Sequence, residues 1–239
     1  MAPPRILYLI HRADWTSSRI AEVLQGMGYA VDFLCHPDGE TLPDDTSPWA
    51  GFVIAGGMDG SMIAPERWPW LMEEAAWARK LVDESRPVLG LCLGAQIIAL
   101  AHGGRGGPRP DGMMELGFCP IEATEEGREL FRGLDHIYQA HYEGITDLPE
   151  DAELLATSAA FPVQAYRLGS AIGLQGHPDA RGQDIADWFG DNETELTRPG
   201  IQPLAEQLVM ARRYEASIQD WTERFLTAWI GPASEFRSL

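Results

Sequence analysis

The chain has 239 residues, 45% hydrophobic, with 36 acidic against 18 basic side chains and a formal net charge of -18. A chain of this size buries about 70 to 75% of its unfolded surface and needs no staples, and three cysteines are too few and too scattered for a disulfide framework or a metal site. The charge excludes nucleic-acid phosphates and anionic membranes as partners. Lys80 as the lone lysine excludes Schiff-base and P-loop chemistry.

Met1 to Arg5 leads into an apolar run too short for a signal peptide or a membrane span, so a cytoplasmic protein is expected. Arg5 to Ile10 reads as a buried strand. Ser17 or Ser18 can cap a helix through Met27, and Gly28 separates that helix from a second strand, Ala30 to Cys35. Gly51 to Ala55 makes a third strand ending in Gly56-Gly57. From Pro69 to Glu84 the residues Leu71, Ala75, Ala78, Leu81 and Val82 recur at helical spacing with charges between them, and Pro87 closes the helix.

Pro87 to Gly90 is then a strand, and Leu93 to Ala101 a helix, with Cys92 at the turn between them. Alternation of strands and helices argues an open, mostly parallel α/β sheet with helices on both faces. Gly103 to Asp111 reads as loop. Beyond it Met114 to Ile121, Tyr138 to His141, Glu153 to Ser158, Val163 to Arg167 and Ala171 to His177 form a small β-rich layer joined to the same sheet. Helices follow after Pro178, with Ile185, Trp188 and Phe189 on one face, then near Ile201 to Tyr214 and Ile218 to Trp229. One domain over residues 1–239 is expected, with its core at about 5–190 and a C-terminal helical extension over about 191–239.

Gly90-Leu91-Cys92-Leu93-Gly94 has the spacing of a nucleophile elbow carrying sulfur, with glycines where side chains would crowd the turn. A thiol attacks only as thiolate, and a helix N-terminus and a nearby imidazole both favour that anion. His177 ends an apolar strand, where open α/β sheets place their chemistry, and Asp179 two residues on can hold the imidazole through Nδ1. The amides of Leu93 and Gly57 are placed to serve as an oxyanion hole. Cys35 and Cys119 read as core, His102 as a helix end, and His141 as structure or surface before cleft. Arg105 and Arg109 belong to a solvated loop unless they meet a substrate carboxylate. No cofactor or metal is called for.

Together Gly90-Leu91-Cys92-Leu93-Gly94-Ala95-Gln96 and Gly173-Leu174-Gln175-Gly176-His177-Pro178-Asp179 resemble the class I glutamine amidotransferase family, in particular stand-alone members similar to the amidotransferase domain of GMP synthase. Gly56-Gly57, Glu115-Leu116-Gly117 and Val163-Gln164-Ala165 belong to the same resemblance, which covers roughly Arg5 to Phe189. It implies Cys92 as nucleophile, His177 as base, Asp179 in the place of the acid, Gly57 and Leu93 as oxyanion donors, and Gln96 in substrate binding. The implied reaction hydrolyses the side-chain amide of glutamine through a Cys thioester. The ammonia would serve an acceptor synthetase or synthase carried by another chain, since no ATP-binding signature is present. Two alternatives are a γ-glutamyl peptide or conjugate hydrolase with the same chemistry and a non-catalytic regulatory subunit on this scaffold. The sequence departs from the family at Asp179, where Glu is usual, at Met58, where Pro is usual, and at Gly176, where an aromatic is usual; the last implies either a pocket opened beside His177 or a looser hold on that histidine.

Overall fold

A computed structural model describes residues 2–189 and 198–235. Its centre is an eight-stranded sheet in the order β2-β1-β3-β4-β12-β11-β10-β7. The first five of these, β2 (Ala30–Cys35), β1 (Arg5–Ile10), β3 (Trp49–Ile54), β4 (Val88–Leu91) and β12 (Ala171–Leu174), run parallel. β11 (Ala165–Leu168), β10 (Glu153–Thr157) and β7 (Glu122–Ala123) continue the sheet antiparallel.

Alternation along the central strands divides the core between the two faces. Ile6, Tyr8 and Ile10 of β1 pack into one cluster with Ile20 and Leu24 of α1 (Arg19–Gly26) and with Trp221 and Phe225 of α5 (Leu204–Ile230). Leu7 and Leu9 face the other way, toward Leu71, Ala78 and Leu81 of α2 (Pro69–Asp83) and Ile97 of α3 (Leu93–Ala101). Buried on both faces, these strands read as the continuous apolar runs of a covered parallel sheet. Ser18 stands at the start of α1 but makes no side-chain cap; its hydroxyl meets Tyr8 Oη at 2.9 Å instead.

Several expectations are corrected. The stretch from Gly103 to Asp111 contains a strand, β5 (Arg105–Pro108), paired antiparallel with β9 (Glu143–Asp147). A Cβ on Gly106 would lie 2.4 Å from the Gly144 carbonyl oxygen, so close strand approach selects the glycines that make this segment look like a loop. β6 (Glu115–Pro120) and β8 (His136–His141) form a second ribbon, so only part of the β-rich second half joins the main sheet. The strand expected through His177 ends at Leu174; Gln175 then donates to Gln164 O and His177 to Tyr138 O, carrying the chain off the sheet.

The two helices expected near the C-terminus are one, α5, running 27 residues. Glu215-Ala216-Ser217 contains no breaker, and the Ser217 hydroxyl donates back to Tyr214 O at 3.0 Å within the helix. Gly231, at φ 74°, ends it. Trp221 is fully buried, stacked on Phe131 and Phe225, so α5 is packed against the sheet. After Pro178 comes α4 (Gly182–Phe189), with Ile185 buried; the side chains of Trp188 and Phe189, expected on the same face, lie outside the described residues. Among the described residues no helix is long and apolar enough to cross a membrane.

Candidate active site

Cys92 sits between β4 and α3 at φ 48°, ψ -106°, a conformation that costs a non-glycine residue of the order of 1–3 kcal/mol and persists only where the surroundings enforce it. They do so here. Cys92 N–H donates to Leu174 O at 2.7 Å and Gly94 N–H to Ala55 O at 3.1 Å, tying the turn to β12 and to the end of β3. A Cβ on Gly94 would stand 2.0 Å from Ile54 O, and one on Gly90 2.7 Å from Ala95 N, so both glycines flanking the thiol are required by space. The sulfur lies at the N-terminus of α3, where the helix dipole favours an anion.

His177 and Asp179 come to the same place. His177 Nδ1 lies 3.3 Å from Asp179 Oδ1, within hydrogen-bond reach at its loose end, and both side chains are largely buried. The imidazole also hydrogen-bonds the Cys92 side chain. Burial alone would lower the imidazole pKa, but the charges of the Cys92 thiolate and the Asp179 carboxylate, with the hydrogen bonds to both, outweigh it and raise His177 from its ordinary 6.5 to about 10. The imidazole is therefore held in its charged form beside the sulfur. Gln175 Nε2 approaches the sulfur to 3.6 Å as a further donor.

These groups open onto a cavity of about 650 Å³ lined by Cys92, His177, Asp179, Gly57, Leu93 and Gln96, all six of the site residues read from sequence. Gln96 Nε2 donates to Glu143 O at 3.0 Å and to Gln175 Oε1 at 3.2 Å, which leaves Oε1 as its group able to meet a ligand. Gly176 does not open the pocket. A Cβ there would meet Ile137 and Gln139 at 3.0 Å, so Ile137 fills the space of the missing aromatic and the expected widening beside His177 is absent. Met58, in place of the usual Pro, is exposed at the cavity rim.

His141 is neither surface nor remote. It is buried, lines the cavity, and spans Glu143 O at 2.9 Å and Glu115 Oε2 at 3.0 Å; Ser158 and Gln164 also donate to that carboxylate. Glu143 in turn accepts from Ser61 Oγ at 2.8 Å and Met62 N at 3.0 Å, holding the loop after Gly57 across the cavity. Arg109 pairs with Asp111 and donates to Ala160 O, away from the cavity. Burial raises the Cys35 thiol to about 11 and Cys119 to about 12, as befits thiols that stay protonated in packed surroundings.

A guanidinium missed in the sequence supports the loop that carries His177 and Asp179. Arg19, 1% exposed, donates to Pro178 O at 3.0 Å, Ala180 O at 3.2 Å, Glu215 and Gln219, joining α1, the His177 loop and α5. Its position among Ile20, Val23 and Leu24 gave no sign of burial, because the first turn of a helix is where a charge ordinarily finds water.

A strained cysteine elbow, an imidazole bonded to the thiol and a carboxylate behind it match one family over most of the chain: residues 19–188 fit the family model described as glutamine amidotransferase class-I. The chain belongs to the class I glutamine amidotransferase family. γ-Glutamyl peptidase 5 of Arabidopsis thaliana is 31% identical over 153 residues, covering 59% of each chain. GMP synthase [glutamine-hydrolyzing] of Aeropyrum pernix is 33% identical over 193 residues, 72% of this chain and 35% of the synthase. This chain thus spans well under two thirds of either relative's length. A glutamine amidotransferase from Thermotoga maritima superposes with a TM-score of 0.84 at 25% identity, covering 96% of this amidotransferase-family chain and 99% of the other.

Proposed function

We propose that this chain hydrolyses the side-chain amide of glutamine, giving glutamate and ammonia. The observation that carries the reading is Cys92, strained at the elbow and hydrogen-bonded to an imidazole whose pKa lies near 10. The thiolate attacks the amide carbon, and the Gly57 and Leu93 amides receive the oxyanion. His177, held by Asp179, gives its proton to the departing nitrogen as the C–N bond breaks. The neutral imidazole then takes a proton from water, whose oxygen attacks the thioester; glutamate leaves and the thiolate returns. Gln96 binds the glutamyl part. The ammonia goes to an acceptor enzyme on another chain, as the likeness to GMP synthase suggests, and the free thiols Cys35, Cys92 and Cys119 suit a cytoplasmic setting.

Glutamate release from glutamine by the wild type and by Cys92→Ala tests this directly; equal rates sink it. A second reading, hydrolysis of a γ-glutamyl peptide or conjugate, is favoured by the cavity. Its 650 Å³ falls in the range of about 300–1,000 Å³ that buries drug-sized ligands, far larger than glutamine. A panel of glutamine against γ-glutamyl dipeptides separates the two by kcat/KM. A non-catalytic role on this scaffold would show as no thioester with any of them, and the intact Cys92–His177–Asp179 geometry counts against it.

A further inference from the structure

Behind the Gly56-Gly57 turn lies a buried histidine–glutamate contact that neither nucleophile nor base requires. His11 follows β1 and Glu74 lies mid-way along α2; His11 Nε2 meets Glu74 Oε2 at 3.0 Å, with side chains 2% and 0% exposed. Glu74 Oε1 has no hydrogen-bond partner among the described residues. A buried polar pair is often no better for stability than well-packed apolar residues of the same volume, and a half-satisfied carboxyl group is worse. Its position calls for another reason.

That reason is the other nitrogen of His11. Nδ1 lies 2.8 Å from Gly56 O, and because a carbonyl only accepts, Nδ1 carries the proton. Gly56 O and the Gly57 N–H belong to one peptide unit. In a trans peptide the oxygen and the hydrogen point to opposite sides, and no cis bond occurs among the described residues. Fixing the carbonyl on the buried side therefore aims the Gly57 N–H away from His11. The same peptide is confined sterically: a Cβ on Gly57 would meet Leu93 Cδ2 at 2.7 Å and the His11 ring at 3.1 Å. A proton donated to the carbonyl also draws electron density from the amide nitrogen, making its N–H a stronger donor, and the carboxylate beyond His11 extends the chain.

We propose that Glu74 and His11 are positioning residues for the oxyanion hole, a second His–carboxylate pair that acts on the Gly56-Gly57 peptide as Asp179 acts on His177. The inference rests on the reading of Gly57 as oxyanion donor. Its signature is a loss confined to steps that form an oxyanion.

The test compares wild type with His11→Leu, His11→Asn and Glu74→Gln, using γ-glutamyl p-nitroanilide and glutamine as substrates and iodoacetamide as an alkylating probe of Cys92 that forms no oxyanion. Full loss of an oxyanion donor costs about 10²–10³ in kcat, so loss of its positioning in H11L is expected to cost about ten- to a hundredfold, with KM little changed. H11N, whose amide can still donate to Gly56 O, falls less, and E74Q falls in between. Alkylation of Cys92 keeps its wild-type rate in all of them. Variants with wild-type kcat overturn the inference while leaving the hydrolase reading intact, as does alkylation that falls in step with turnover, which would make the pair a support of the whole elbow. A wild type without Cys92-dependent hydrolysis of either substrate overturns both. Should H11L fail to fold by circular dichroism, H11N and E74Q decide.

Discussion

Replacing Asp179 by Asn removes one negative charge 3.3 Å from His177 Nδ1 while keeping the size of the side chain and its carbonyl acceptor. An opposite charge at this range shifts a pKa by about 1–3 units, so the imidazole should fall from about 10 to somewhere between 7 and 9. The cost in rate at neutral pH is smaller than the roughly 10⁴ seen when a serine-protease Asp is neutralised, because a thiol ionises far more readily than a serine hydroxyl and depends less on a base to extract its proton. We expect about a tenfold loss of kcat. The distinctive result lies in the pH profile of kcat/KM, which reports groups of the free enzyme. On the proposed mechanism the wild-type alkaline limb, where His177 loses the proton it would give to the leaving nitrogen, is expected near pH 10; in D179N it should move down into the measurable range. The same shift governs stability. A folded-state pKa raised above its ordinary 6.5 stabilises fully below that value, and the contribution is lost as pH rises through about 10. Thermal stability should therefore decline over that window, and less steeply in D179N. An alkaline limb that stays near pH 10 in D179N would refute the assignment of Asp179 as the partner of His177.

Gly94→Ala puts a methyl group 2.0 Å from Ile54 O and should cost about 3 kcal/mol, read as a lowered denaturation midpoint at unchanged slope. Arg19→Met removes the donors to Pro178 O and Ala180 O and should destabilise by about 3 kcal/mol. It should also depress kcat more than KM, because the His177 loop loses its anchor. Tyr166→Phe deletes the 2.6 Å bond from the Tyr166 hydroxyl to Ala95 O beneath the elbow helix and should cost about 1 kcal/mol in urea unfolding, with little change in KM.

The elements that place Cys92 were legible because each is written locally. Apolar runs marked β1, β2, β3 and β4, and Gly90-x-Cys92-x-Gly94 marked the turn. His177 and Asp179 lie two residues apart, so a short motif carried them both. What escaped depends on contacts between distant segments. His11 and Glu74 are 63 positions apart, and neither residue type announces burial. A signal existed in α2: Leu71, Glu74, Ala75 and Ala78 fall at helical spacing on one face, so the carboxylate stands on the apolar stripe and calls for a buried partner. Gly176 was misjudged for the converse reason. An absent side chain suggests a hole, but only the packing of Ile137 and Gln139 decides whether the hole is filled.

The bond between Arg19 and Glu215 has a consequence for how the chain is made. Cys92 and the helix that follows it are synthesised by Ala101, whereas the carboxylate that fixes Arg19, and through it the loop after His177, stands far along α5. Synthesis at roughly 5–20 residues per second separates the two by on the order of 10 s. For most of that interval the cysteine lacks both the Leu174 carbonyl that holds its turn and the imidazole of His177. Reactivity arrives only when the last long helix docks, so the chemistry of the site reports that the whole fold has closed.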